Sequence, residues 1–152
     1  VIIRCAPIIL VVFFLPAPYR FSLPPSLITL LVFIVTLLLG LLVIVSISML
    51  IYISVFWTMS PTGSILMIAV AGEFLAGMII PVPLMPLWLQ KIVYVLPFRW
   101  TMDFPFRVYS GHIPITEALW GILVQILWLT ILVSVGSWLM IRALRQVVVQ
   151  GG

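Results

Sequence analysis

The chain has 152 residues, 65% of them hydrophobic and 7% charged, with a mean hydropathy of +1.43, whereas a soluble domain typically carries about 25% charged residues. Too few polar side chains exist to cover a water-facing surface, so lipid must act as the solvent, and in lipid only helices or a closed barrel satisfy the backbone. The long apolar runs lack the alternation of barrel strands, and the net charge of +4 comes from basic residues scattered singly, which argues against nucleic-acid binding; the expectation is an all-α, polytopic membrane helix bundle.

In chain order, Val1-Ile2-Ile3-Arg4 opens without a Met and leads into a short apolar run, residues 5–16. Ala17-Pro18-Tyr19-Arg20 is a poor cleavage site, so this run reads as part of a spanning helix in an N-terminally truncated chain rather than as a signal peptide. Cys5 is the single cysteine, which leaves no disulfide framework and no Cys-rich metal site. Positions 21–72 then carry no charge. A straight helix of that length would measure about 78 Å against a hydrocarbon core of about 30 Å, so a reversal must lie within it. Pro24-Pro25-Ser26 marks the start of a span over 26–58. Ser60-Pro61-Thr62-Gly63 marks the turn, with Ser60 as N-cap and Pro61 in the first helical position. Ser46, Ser48 and Ser54 are expected to bond back to their own helix or to a neighbour.

The next span is expected over 61–80. Ala69, Ala71, Gly72, Ala76 and Gly77 surround Glu73, and small residues let a neighbouring helix approach closely. Glu73 is the one ionisable residue inside a predicted span. An intramembrane carboxylate is costly and usually faces a cavity, a partner or another subunit. It has two readings: a residue of a translocation path together with Gly77, or a hydrogen-bonded carboxyl near the water-accessible end of the helix.

Proline then dominates. Pro81, Pro83 and Pro86 remove backbone donors and force extended geometry, which ends the helix. Pro86 can open a short helix too short to span, with Gln90, Lys91 and Tyr94 on its wetter side, and Pro97 ends it. Arg99, Asp103 and Arg107 follow at a spacing of four, which would stack plus, minus, plus on one helical face, or, where Pro105 kinks or restarts the helix between them, be bridged across a bend. Residues 81–112 are therefore expected to form a re-entrant or interfacial segment at the outer face, with Pro81, Pro83, Pro86, Pro97, Arg99, Asp103 and Arg107 as candidate outer-gate residues and Gly111 as a helix C-cap. His112 has no second ligand nearby and reads as a surface residue.

The last span is expected over 117–141, with Thr116 as N-cap and Glu117 at the positive end of the helix dipole. Trp120 and Trp138 are placed to mark two aromatic belts. Arg142 and Arg145 lie just beyond. Charge counting alone slightly favours the opposite topology, yet a cytoplasmic C-terminus is kept because Asp103 can pair with two of the outer basic residues and because of the family resemblance given below. No catalytic constellation, cofactor motif or metal cluster can be drawn from three acids, one His and one Cys, which argues against an enzyme.

The order of these segments resembles the permease subunits of ATP-binding-cassette exporters of the type 2 superfamily. Phe74-Leu75-Ala76-Gly77 followed by Ile80-Pro81, Pro86-Leu87-Trp88-Leu89, Leu96-Pro97-Phe98-Arg99, Pro105 and Tyr109-Ser110-Gly111 carry the likeness, which extends over about residues 21–152. The resemblance implies the C-terminal portion of a six-helix permease, multi-pass in the plasma membrane, exporting a drug-like, lipidic or cationic compound. It also implies a separate ATPase subunit that binds ATP and Mg, and a second permease subunit; no G-x-x-x-x-G-K-[ST] phosphate loop occurs in this chain. The competing readings are a proton- or ion-coupled carrier using Glu73 and a non-transporting assembly subunit.

Overall fold

A computed structural model describes residues 24–54 and 61–150. Among them there is no strand. Five α-helices occur: α1 (Leu27–Ser54), α2 (Pro61–Leu75), α3 (Leu87–Val95), α4 (Asp103–Tyr109) and α5 (Ile115–Gln150), with single 3-10 turns at Val82–Leu84 and Phe98–Trp100. The partial span at 5–16, the end of the 26–58 span beyond Ser54, and the Ser60 cap lie outside the described residues.

Ser26 starts α1 as its N-cap: its hydroxyl accepts the Thr29 amide at 3.1 Å and satisfies one of the amides that a helix start leaves without a partner. The helix then runs 28 residues, about 42 Å at 1.5 Å per residue. Its hydroxyls are satisfied within the helix, Ser46 donating to the Leu42 carbonyl, Ser48 to Ile44 and Ser54 to Ile51. Large apolar side chains such as Leu31, Leu38, Leu41 and Val45 remain exposed around it. α5 is similar, exposing Leu119, Leu123, Leu127 and Val133. Two helices, Leu27–Ser54 and the Ile115–Arg145 part of α5, are long and apolar enough to cross a membrane.

α1 and α5 run in the same direction. Thr36 meets Gln125, Val43 and Ile47 share a core with Leu132, and Leu50 lies against Gly136, so residue numbers rise together along both. The chain must therefore travel back between them. α2 makes only the first part of that return. It stops at Leu75, five residues short of the expected end at 80, because Gly77 adopts φ +81°. The Gly77 amide bonds to the Phe74 carbonyl and the Met78 amide to the Glu73 carbonyl, the paired bonds of a Schellman cap. At 15 residues, α2 is about 22 Å long and does not by itself match a bilayer core of about 30 Å.

The rest of the return is made by short pieces. Val82 and Met85 fold onto Val93 of α3 to form a small core of their own, and the Gln90 carboxamide donates to the Met85 carbonyl at 2.7 Å, tying the proline turn to α3. Thr101, just after the Phe98–Trp100 turn, presses its carbonyl against Gly40, at the midpoint of α1. From there α4 retraces the first half of α1: Phe106 and Tyr109 pack their rings on Phe33, and Gly111 reaches Pro25. Gly111, at φ +72°, caps α4 as expected, with its amide on the Val108 carbonyl and that of His112 on Arg107. α5 begins at Ile115. The Ala118 amide bonds to the Pro114 carbonyl, so Pro114, not Thr116, holds the capping position; Glu117 does lie in the first turn.

The main core joins the connection to the two long helices: Trp100, Phe104, Val108, Ile113 and Ala118, with Val32, Phe33, Val124 and Trp128 packed around them. Its fit depends on absent side chains. A Cβ at Gly40 would lie 2.7 Å from the Thr101 carbonyl oxygen, a backbone atom, whereas nothing lies within 4 Å of one at Gly63. Gly40→Ala is expected to lower stability in detergent micelles by roughly 1–3 kcal/mol. Gly63→Ala should be neutral or stabilise by up to about 1 kcal/mol. Unfolding midpoints of the two variants measured side by side check this.

Candidate functional site

The residues with chemical potential collect where the connection meets α1 and α5. The centre is Gln125, whose side chain is completely buried. Its Nε2 donates to the Thr36 carbonyl of α1 at 2.9 Å and to the Trp100 carbonyl of the connection at 2.8 Å. One carboxamide thus ties three segments together. Two buried polar atoms beside these bonds, Gln125 Oε1 and Trp100 Nε1, have no partner. Gly121, one helical turn before Gln125, admits the Phe104 ring to within 2.0 Å of where a Cβ would stand. Phe104 in turn packs on Trp100, with ring centroids 4.9 Å apart.

Next to this clasp lies an enclosed ion pair. Arg99 Nε donates to Asp103 Oδ2 at 3.2 Å, and the two side chains are only 10% and 8% exposed. The guanidinium stacks over the Tyr94 ring at 3.9 Å, a favourable cation–π arrangement that draws α3 into the same cluster. Asp103 also opens α4, where the helix dipole favours a negative charge. The expected plus-minus-plus stack is not formed. Arg99 sits in the 3-10 turn while Asp103 and Arg107 lie on α4, because Pro105 occupies the first turn of α4, where its missing amide costs nothing. Arg107 makes no ion pair among the described residues.

Two hollows flank α2's end. One, of about 490 Å³, is lined by Gly77, Pro81, Pro83, Asp103 and Arg107 together with Ser110 and His112, so five of the residues singled out in the sequence converge on it. The other, of about 240 Å³, holds Glu73 with Ser48, Gly72 and Thr101 between α1 and α2. Glu73 and Gly77 therefore face different hollows rather than one common path. Glu73 is exposed, makes no side-chain hydrogen bond or ion pair among the described residues, and sits in the last turn of α2, where the dipole disfavours an anion. Pro86 and Pro97 line neither hollow; Pro86 accepts the Leu89 and Gln90 amides at the start of α3, and Pro97 precedes the Phe98–Trp100 turn. Lys91 and Tyr94 are exposed, whereas Gln90 is half-buried and turned to the proline loop.

Gly40, Gly121 and Gln125 were not among the residues the sequence pointed to. A signal existed for Gln125 and for Gly40. Gln125 is the one carboxamide in the uncharged run 118–141, and Gly40 is the one glycine between Arg20 and Gly63; a lone polar or lone small residue in an apolar helix marks a packed face. Among the described residues no cluster of three or more metal-ligating side chains occurs. Comparisons with protein-family models, curated proteins and solved structures return no match.

The enclosure of the ion pair makes its energetics asymmetric: removing one partner leaves a buried charge, whereas removing both does not. Asp103→Ala is expected to destabilise the protein by about 3–5 kcal/mol, and the double change Arg99→Met with Asp103→Ala should recover most of that loss. Unfolding midpoints of the single and double variants decide it; a double variant as unstable as the single one contradicts the assignment.

Proposed function

We propose that this chain is a membrane-embedded permease of an ATP-binding-cassette exporter of the type 2 kind, moving an amphiphilic or cationic compound outward while a separate subunit hydrolyses ATP. The observation that carries this reading is the broken return between α2 and α5. Three proline-bounded pieces make it up, and the turn at Thr101 presses its carbonyl on Gly40 at the midpoint of a 28-residue apolar helix, with Val82, Val93, Trp100, Phe104 and Val108 of the connection buried. Irregular backbone at that depth is tolerated only when buried or lining a water-filled cavity, so a chain that builds such a segment has a use for a hole in the bilayer.

In this reading the segment 81–112 re-enters the membrane from the outer face, and the C-terminus, with Arg142 and Arg145, lies in the cytoplasm. α1 and α5 run inward, and α2 and the connection carry the chain back out. The clasp at Gln125 holds the outer halves of α1 and α5 to the connection, forming an outer gate of fixed shape. Glu73, in its hollow between α1 and α2, is positioned to meet a cationic cargo or a second permease subunit. ATP and Mg are bound by the partner ATPase, whose closure rocks the two permease bundles between inward and outward access.

The purified chain in lipid nanodiscs is expected to hydrolyse no ATP, with turnover appearing only after a separate ATPase subunit is added and stimulated by the presence of the permease. Intrinsic turnover by the purified chain, or an added ATPase whose rate the permease leaves unchanged, would sink the proposal.

A further inference from the structure

The larger hollow has a chemistry that the exporter reading does not use. It lies between the Pro81–Pro83 turn and α4, has a volume of about 490 Å³, and so falls in the size range of small-molecule sites. Its polar groups are Asp103, Arg107, Ser110 and His112. Asp103 is engaged by Arg99 at 3.2 Å, so one cation is left over, and that cation is Arg107. The Ser110 hydroxyl donates to the Arg107 carbonyl at 3.2 Å and lies 2.8 Å from His112 Nδ1. With the hydroxyl proton committed to the carbonyl, Ser110 Oγ accepts from Nδ1–H, and the imidazole Nε2 is left for a ligand. The carbonyls at this end of α4 are already bonded by the amides of Ser110, Gly111 and His112, which mutes their repulsion of an anion. The rest of its lining includes apolar side chains, Met78 and Phe106, each about half exposed.

An anionic group near Arg107 with an apolar body along Met78 and Phe106 describes an amphiphile. We propose that this cleft holds the phosphate of an anionic phospholipid headgroup, with Arg107 as its cation, His112 Nε2 accepting a hydrogen bond from a headgroup hydroxyl, and the lipid's glycerol and upper chain on Met78 and Phe106. Arg suits a phosphate because its planar fork donates two parallel hydrogen bonds. The site requires that the chain be embedded in a bilayer but is independent of any ATPase, so the ATP test above can fail while this site stands.

Native mass spectrometry of the full chain, released from nanodiscs of mixed phosphatidylglycerol and phosphatidylcholine, tests it. Preferential retention of phosphatidylglycerol is expected, reduced roughly five- to tenfold in Arg107→Ala, reduced less in Arg107→Lys, which keeps the charge but loses the fork, and unchanged in Lys91→Ala, which removes an exposed cation elsewhere on the connection. Met78→Trp, which fills the apolar part of the lining without altering charge, should also reduce retention and serves where Arg107→Ala does not fold. Equal retention of the two lipids, or equal loss from Lys91→Ala and Arg107→Ala, overturns the site. Displacement of the lipid by millimolar inorganic phosphate would reassign the cleft to a free anion and overturn the lipid assignment.

Discussion

The structure depends on one carboxamide in an apolar helix. Gln125, fully buried, donates to carbonyls of α1 and of the connection and so joins three segments. In lipid the hydrophobic effect gives no reason for helices to associate, so close packing and interhelical hydrogen bonds must do it. Both are present at one level: the Gln125 bonds, and the two gaps at Gly40 and Gly121 that let a backbone carbonyl and an aromatic ring approach the helix axes. An amide at that depth with no partner would cost several kcal/mol. The NH2 of this amide, bonded twice, favours the docked arrangement, while its buried Oε1 has no partner among the described residues.

The direction of the helices explains why the connection has its shape. Parallel α1 and α5 demand a return path, and α2 is too short to supply all of it. The chain completes the return with α4, which lies along the first half of α1, and with the turn at Thr101 that enters the space at Gly40. Charge follows from this placement. Arg99 and Asp103 are enclosed because the connection is wedged inward, and each is tolerated because the other is 3.2 Å away and because Tyr94 covers the guanidinium. Arg107, one turn further along α4, is left without an ion pair among the described residues and gives the cleft beside Pro81 and Pro83 its positive character.

Much of this was legible in the residues, and the failures are informative. Helix positions, the proline-broken connection, Ser26 as a start and Gly111 as a stop follow from local rules of capping and periodicity. Gly77 was read as a small packing residue, yet it is a helix stop in left-handed geometry, a role that the proline four residues later disguised. The spacing of Arg99, Asp103 and Arg107 makes one face only in a continuous helix; with Pro105 in the first turn of a new one that begins at Asp103, Arg99 pairs with Asp103 across the break instead. The clasp was not legible at all from spacing, since Gln125 and Thr36 are separated by 89 positions. What identified it afterwards was isolation: one amide and one glycine in long runs of hydrocarbon.

The central claim is that the connection is lodged deep beside the midpoint of α1 rather than lying on the membrane surface. Quenching of tryptophan by nitroxides fixed at different depths along lipid chains measures this directly, using proteins that keep a single tryptophan with the others replaced by Phe. Trp100, on the connection, is predicted to be quenched most strongly by the deep nitroxide, as Trp128 of α5 should be, while Trp120 near the start of α5 responds to the shallow one. A Trp100 that follows Trp120 and responds to the shallow nitroxide would contradict the account.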